Sequence, residues 1–343
     1  MVIINGSFVK VTLRESGAGI GVPCSVRSQI HKHRFESHKS LPCIYLNFIG
    51  SKLQTMENKK VWFITGASKG LGLSLTKLLL QSGHLVAATS RKAKDLTGKI
   101  TVHKENLLTL TVDITNQQSV NEAIAITVAH FGGLDVVVNN AGYSIYGSVE
   151  VLLEEEFRDT INVNFFGTVN VIRAAMPHLR TQRSGYIFNI ASVAGYKGFG
   201  NSPSYAAGKF AIIGLSESLA EEAKPFGVKV TVVAPGFFRT SFLDKGAELV
   251  SKNCIEEYQV DALVNRLKAM NGKQPGDPDK LAAALIKLSD EKNPPVHLLM
   301  GPDAYKMVMQ KQAADREEFE AWKDLSLSTD FDDKRKGIIP KFS

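Results

Sequence analysis

From Lys60 onward, short apolar runs alternate with longer stretches of helical period. Residues 61–65 form an apolar run of strand length, followed by a glycine-rich turn and a helical pattern over 71–82 that Gly83 closes. Further strand-like runs lie at 84–89, 107–112, 134–138, 186–190, 228–233 and 296–300. Helical stretches separate them. Thr115-Asn116 caps one that runs to His130 and stops at Gly132-Gly133, and others cover about 154–179, 204–224 and 279–288. The valine run ending at Val138 predicts a strand buried on both faces. Regular alternation of strand and helix predicts a parallel sheet covered on both sides. The fold expected is α/β, one doubly wound domain with a mostly parallel sheet of seven strands.

The chain has 343 residues, of which 44% are hydrophobic and 22% charged, ordinary values for a globular core that exclude wholesale disorder. Length alone suggests roughly two domains, but the alternating pattern fills 58–302 as one. Residues 1–57 are left as an extension, expected to be disordered or to lie upstream of a start at Met56. Residues 303–343 are left as a helical tail, expected to pack on the domain or on a partner subunit. The net charge of +7 changes meaning once it is split. Residues 1–55 hold seven basic and two acidic side chains, so the body carries only +2. That balance gives no sign of a nucleic-acid partner. No apolar run approaches the roughly 18 residues of an integral membrane span. Cys24, Cys43 and Cys254 are too few and too scattered for a disulfide framework or a metal site. A cytoplasmic protein is expected, with organellar targeting by the basic N-terminal segment as the alternative.

The turn Thr65-Gly66-Ala67-Ser68-Lys69-Gly70-Leu71-Gly72 joins the first strand to the first helix. Three glycines there permit a tight turn and bring backbone N–H groups and a helix N-terminus up to a pyrophosphate. The spacing is Gly-x-x-x-Gly-x-Gly, and alone it fits a plain helix cap equally well. The second strand narrows the reading. NAD sites place an acid about 20 residues past the glycines to hold the ribose 2′-hydroxyl. Here Ser90-Arg91-Lys92 occupies that region. Arg91, with Lys69, can pair with a 2′-phosphate, so NADP(H) is expected ahead of NAD(H), which stays open.

Downstream, Tyr205-Ala-Ala-Gly-Lys209 sets a lysine one helical turn past a tyrosine, and Ser192 precedes that tyrosine by thirteen residues. Asn164 lies in Asn162-Val-Asn-Phe-Phe-Gly167, Asn139-Asn-Ala-Gly142 follows the fourth strand, and Pro235-Gly236 with Thr240 follows the sixth. Each alone has a plainer reading as a helix surface pair, a turn serine or a buried amide. Together, in this order and over about 58–300, they resemble the short-chain dehydrogenase/reductase family. The resemblance implies a Rossmann-type domain and an oxidoreductase acting on CH–OH groups, with Ser192, Tyr205, Lys209 and Asn164 as the catalytic set. It implies a cofactor turn at Gly66, Ser68, Lys69, Gly70, Leu71 and Gly72, to which the charge argument adds Ser90 and Arg91. Asp113 and Ile114 would meet adenine, and Asn140, Ala141 and Gly142 would border the cofactor. Pro235, Gly236 and Thr240 would meet the nicotinamide, and Tyr205 and Lys209 its ribose. One departure is Ala191, where many relatives carry a second serine.

The residue types suit the chemistry. Hydride transfer to a carbonyl leaves an alkoxide that needs a proton, and Tyr205 can supply it as general acid or, in reverse, act as general base. Free tyrosine has a pKa of about 10, so Lys209 is expected to stabilise the phenolate. Ser192 would polarise the carbonyl, and Asn164 would anchor a water in a proton path toward Lys209. Residues 237–270 fall where the family has its substrate lid. Phe237, Phe238, Phe242, Leu243 and Tyr258, with Tyr143, Ile145 and Tyr146, are expected to line a pocket for an apolar or medium-sized ketone, aldehyde or alcohol. Two other classes were weighed. A catalytically silent NADP-binding sensor has no need of all three of Ser192, Tyr205 and Lys209. A sugar-nucleotide epimerase or dehydratase would show Gly-x-x-Gly-x-x-Gly instead. A homo-oligomer remains open.

Overall fold

The computed structural model describes residues 2–4, 7–9, 59–101, 103–243 and 249–329. The chain divides into two units, Met1–Leu53 and Gln54–Ser343. In the first, Val2–Ile4 pairs antiparallel with Ser7–Val9. The rest of the extension expected to be disordered lies outside the described residues.

The second unit is a doubly wound α/β domain. Its strands are β1 (Val61–Ile64), β2 (Leu85–Ser90), β3 (Leu107–Thr111), β4 (Val136–Asn139), β5 (Gly185–Ile190), β6 (Val228–Pro235) and β7 (His297–Met300). They form one seven-stranded sheet in the order β3-β2-β1-β4-β5-β6-β7. Every pairing is parallel, where the sequence led us to expect a mostly parallel sheet. The order reverses between β1 and β4, so the loops at their carboxyl ends diverge and open a crevice there.

The helices α1 (Gly70–Gln81), α2 (Gln117–Phe131), α3 (Glu154–Ile161), α4 (Gly167–Gln182), α5 (Pro203–Ala223), α6 (Val260–Met270), α7 (Pro278–Leu288) and α8 (Pro302–Ala321) complete the domain. Their ends carry the signals the sequence shows. The Asn116 side chain accepts from the Ser119 N–H, and Gly132 ends α2 in the left-handed conformation. One expectation is corrected: the helix over 154–179 is not continuous. A π-helical turn, Asn162–Phe166, separates α3 from α4. Such a turn inserts an extra residue into the helical ladder and re-aims the side chains beside it.

Successive residues of β1 point to opposite faces, so both faces of the sheet need cover. Trp62 and Ile64 pack with Leu75 and Leu79 of α1 and Leu285 of α7. Phe63 packs on the other face with Ile124 of α2 and Val171 and Leu179 of α4. Each such buried side chain contributes about 1.5–3 kcal/mol to stability. The tail does not begin outside this core. Ala304 and Val308 of α8 pack against Val193, and Asp303 accepts the Phe237 N–H at 2.7 Å. Beyond that, Phe319 and Trp322 are exposed.

Candidate active site

A cleft of about 1120 Å³ opens at the carboxyl ends of the strands. Its floor begins with the turn between β1 and α1. Gly66 and Gly70 there have φ of +66° and +54°, conformations that side chains with a Cβ disfavour. Helix α1 starts with no side-chain cap and no acid in its first turn, so its N-terminal N–H groups are free for an anion. The loop after β4 braces this turn. Thr65 Oγ1 accepts from the N–H groups of Asn140 and Ala141, both at 3.0 Å, and Asn140 Nδ2 donates to the carbonyls of Thr65 and Gly66 at 2.9 and 3.1 Å. Gly72 closes the brace, since a Cβ there would stand 2.6 Å from Asn140 Nδ2 and from the Gly66 carbonyl.

Beyond the turn, the Ser90 hydroxyl donates to the Lys92 carbonyl and accepts its N–H, which shapes the corner that carries exposed Arg91. Asp113 accepts from the N–H and hydroxyl of Thr115. Arg91, Asp113 and Ile114 line the cleft alongside Ser68 and Lys69.

At the centre, α5 presents Tyr205 and Lys209 one turn apart, with the Lys209 Nζ 5.6 Å from the Tyr205 ring centre. Lys209 is buried and donates to the Ile190 carbonyl at 2.7 Å. Ser192 is a hydrogen-bond partner of the Tyr205 hydroxyl and accepts the Ala194 N–H. Burial pushes Tyr205 up to about 12, against the opposing pull of Ser192. Burial brings Lys209 down to about 8. The two shifts have the same cause. Both groups are out of water, and burial penalises a charge, so each moves toward its neutral form.

Asn164 stands in the π turn. Its Oδ1 accepts the Tyr143 N–H at 3.0 Å and its Nδ2 donates to the Tyr143 carbonyl at 2.8 Å. The amide therefore clamps the loop after β4. Gly142 lies close under it, with a Cβ position 2.7 Å from Asn164 Oδ1 and 3.7 Å from Lys209 Nζ. Pro235, Gly236 and Thr240 line the far wall. Gly236 has no room for a side chain because the Asp303 carboxylate fills that space.

A sequence profile described as short chain dehydrogenase matches residues 60–249. The chain belongs to the short-chain dehydrogenase/reductase family. The 3-ketodihydrosphingosine reductase of Bacteroides thetaiotaomicron is 40% identical over 71% of this chain and 88% of its own. A short-chain dehydrogenase from Streptomyces avermitilis, solved as a crystal structure, aligns over 80% of this chain and all of its own, with a TM-score of 0.74 and 34% identity. The structure of ElxO with NADP bound aligns over 71% of this chain and 97% of its own, at a TM-score of 0.59 and 30% identity. As a member of this family the chain is an oxidoreductase.

Within this family member, every cofactor-side residue expected from the sequence lines the cleft except Gly72, which packs behind the turn. Asn164 likewise stands behind the lining, holding Tyr143. The lid expectation holds for Phe237, Phe238, Phe242, Tyr143 and Tyr146, which line the cleft. It is corrected at two positions. Ile145 is buried in a short parallel pairing with Leu249, and the Tyr258 hydroxyl turns outward to Glu150 at 2.5 Å. The Leu243 side chain lies outside what the structure describes. Sequence reasoning missed Phe199, Leu263, Arg266, Leu267 and Gln274, all of which line the cleft. The signal for the middle three is their spacing, which puts them on one face of α6. Thr65 was read only as the first letter of the turn, and its hydroxyl is the bolt that holds it.

Proposed function

We propose that this enzyme interconverts a carbonyl and an alcohol by hydride transfer with NADP(H), using Tyr205 as proton donor or acceptor. The observation that carries the reading is the meeting of Tyr205, Ser192 and Lys209 in a cleft whose other end is an uncapped helix N-terminus behind two left-handed glycines. The residues present fit a dinucleotide. The Gly66–Gly72 turn and the start of α1 suit its pyrophosphate, and Lys69 and Arg91 at the mouth suit a 2′-phosphate. The NADP-bound relative at 30% identity supports the same cofactor. When bound, the cofactor supplies or accepts the hydride.

The protein groups do the rest. Tyr205 is held protonated far above neutral pH by its burial, so it is ready to deliver a proton to a forming alkoxide. Ser192 donates to the same oxygen and polarises the carbonyl. Lys209, charged below about pH 8, offsets the negative charge that develops on Tyr205 after the proton leaves. Phe199, Phe242, Leu263 and Leu267 keep water from the reacting carbon and select an apolar or medium-sized substrate.

Two measurements test the reading. Fluorescence titration with NADPH and NADH should show tighter binding of NADPH. A panel of ketones, aldehydes and secondary alcohols, followed by nicotinamide absorbance, should show turnover of apolar ketones. Absence of binding by either nucleotide would remove the proposal.

A further inference from the structure

Seven buried side-chain polar atoms among the described residues lack a hydrogen-bond partner, and two of them belong to residues that line the cleft: Ser241 Oγ and Gln274 Oε1. Ser241 adjoins Thr240, at the cofactor end. Gln274 is different. It follows the lid helix α6, is 1% exposed, and its Nε2 makes only a long contact of 3.5 Å to Asn271 Oδ1. Its backbone is held firmly, for Arg239 donates to the Gln274 carbonyl through Nε at 3.3 Å and Nη2 at 3.1 Å. Two residues on, Gly276 is tied into the lid base, donating to the Phe237 carbonyl at 3.0 Å and accepting from the Arg239 N–H at 2.8 Å. The oxygen is left without a partner at the edge of the cleft, and the fixed backbone holds the side chain there.

We infer that Gln274 is a specificity-determining residue, and that the substrate carries a neutral hydroxyl, remote from its reacting carbonyl, which donates to Gln274 Oε1. The inference rests on the carbonyl–alcohol reading above and names its substrate class more closely: a hydroxylated apolar ketone and its diol product. The choice of hydroxyl follows from the neighbouring chemistry. An orphaned carbonyl oxygen requires a donor. Arg266 lines the same cleft, and its positive charge disfavours an ammonium donor there. A carboxylate would suit Arg266 and leave Gln274 Oε1 unpaired. A hydroxyl is a neutral donor, so it satisfies Gln274 with no charge to be repelled. The rest of that wall, Leu263, Leu267, Phe238 and Phe242, takes the apolar chain between the two oxygens.

The test uses 2-hexanone, 2-octanone and 2-decanone, each against its terminally hydroxylated counterpart, with NADPH and the full chain. At least one pair should show a kcat/KM preference for the hydroxylated ketone of about tenfold or more, because a site built to pair a hydroxyl rejects the analogue lacking it. Gln274→Leu should bring that ratio close to one, and Gln274→Met, a flexible apolar replacement of similar length, should do the same if the leucine variant fails to fold. Equal use of both members of every pair by the unmodified enzyme overturns the inference, as does a preference that survives both substitutions. Melting temperature gives a second readout. The corresponding diols should raise it more than the mono-alcohols do, and Gln274→Leu should abolish that difference. If no ketone is turned over, the loss falls on the carbonyl–alcohol reading, while the diol comparison still decides whether Gln274 takes a hydroxyl.

Discussion

The two walls of the cleft are built in different ways. The wall proposed for the cofactor is largely backbone, two glycines in left-handed conformations and a strand end, locked to the loop after β4 by the Thr65 and Asn140 side chains. The substrate wall is made of side chains brought in from distant segments, Phe199 before α5, Phe238 and Phe242 after β6, Leu263 and Leu267 on α6, and Gln274 beyond it. Its anchors are scattered along the chain. The Phe238–Gly276 bridge ties its base, and Glu156 at the start of α3 latches its outer arm. That carboxylate accepts from the Ser251 hydroxyl at 2.7 Å and the Lys252 N–H at 3.2 Å, while also accepting the Leu153 N–H at 3.0 Å. A wall made of backbone admits one ligand shape and tolerates little change. A wall made of side chains can be re-cut without disturbing the fold.

The largest test of that contrast lies where the walls meet. Tyr205→Phe should lower kcat by about a hundredfold to ten-thousandfold, the span of a general acid's contribution, with NADPH affinity retained. If stopped-flow traces show hydride transfer at the original rate, Tyr205 is not the proton donor. On the cofactor wall, Arg91→Ala should weaken NADPH about tenfold, roughly 1.4 kcal/mol, and leave NADH untouched. Equal losses for both nucleotides would place Arg91 outside the 2′-phosphate site.

A pH profile separates the two central groups. Burial lowers Lys209 to about 8, so its charge is present below that pH and lost above it. Tyr205, raised to about 12, keeps its proton throughout this range. The reductive kcat/KM should therefore fall as the pH rises through about 8. In Lys209→Arg, where the charge persists at any accessible pH, that fall should vanish; an unchanged profile would assign it to another group.

The smallest effect is expected at the lid latch. Glu156→Gln should raise KM several-fold, about 1 kcal/mol, while kcat changes little and NADPH binding not at all. A drop in kcat with unaltered KM would mean that the latch acts on chemistry and not on substrate enclosure.

How much of this could be read from the chain follows the same division. The order of strands and helices, the caps at Asn116 and Gly132, and the glycines of the cofactor turn are local patterns, and local sequence determines them through backbone sterics and periodicity. Tyr205, Lys209 and Ser192 were legible because family spacing marks them and because two of them share a helix face. The sequence alone did not reveal the break at Asn162–Phe166, since Asn-Val-Asn-Phe-Phe is only mildly unfavourable to a helix and nothing in it marks where the ladder gains a residue. Nor did it show that Asn164 holds Tyr143, that Asp303 of the apparent tail fills the space beside Gly236, or that Ile145 and Tyr258 turn away from the cleft. Those outcomes depend on residues 21 to 108 positions apart finding one another. The direction of the Tyr205 shift belongs to the same group. A neighbouring lysine argued for a lower pKa, but how completely water is excluded from both groups is set by packing, and desolvation decides the sign. The sequence determined the family, and with it the oxidoreductase class, because the motifs that mark it sit on periodic elements with fixed spacing. The tertiary structure alone decided how deeply Tyr205 and Lys209 are buried and which side chains face the cleft, because both are properties of packed surfaces that no local pattern encodes.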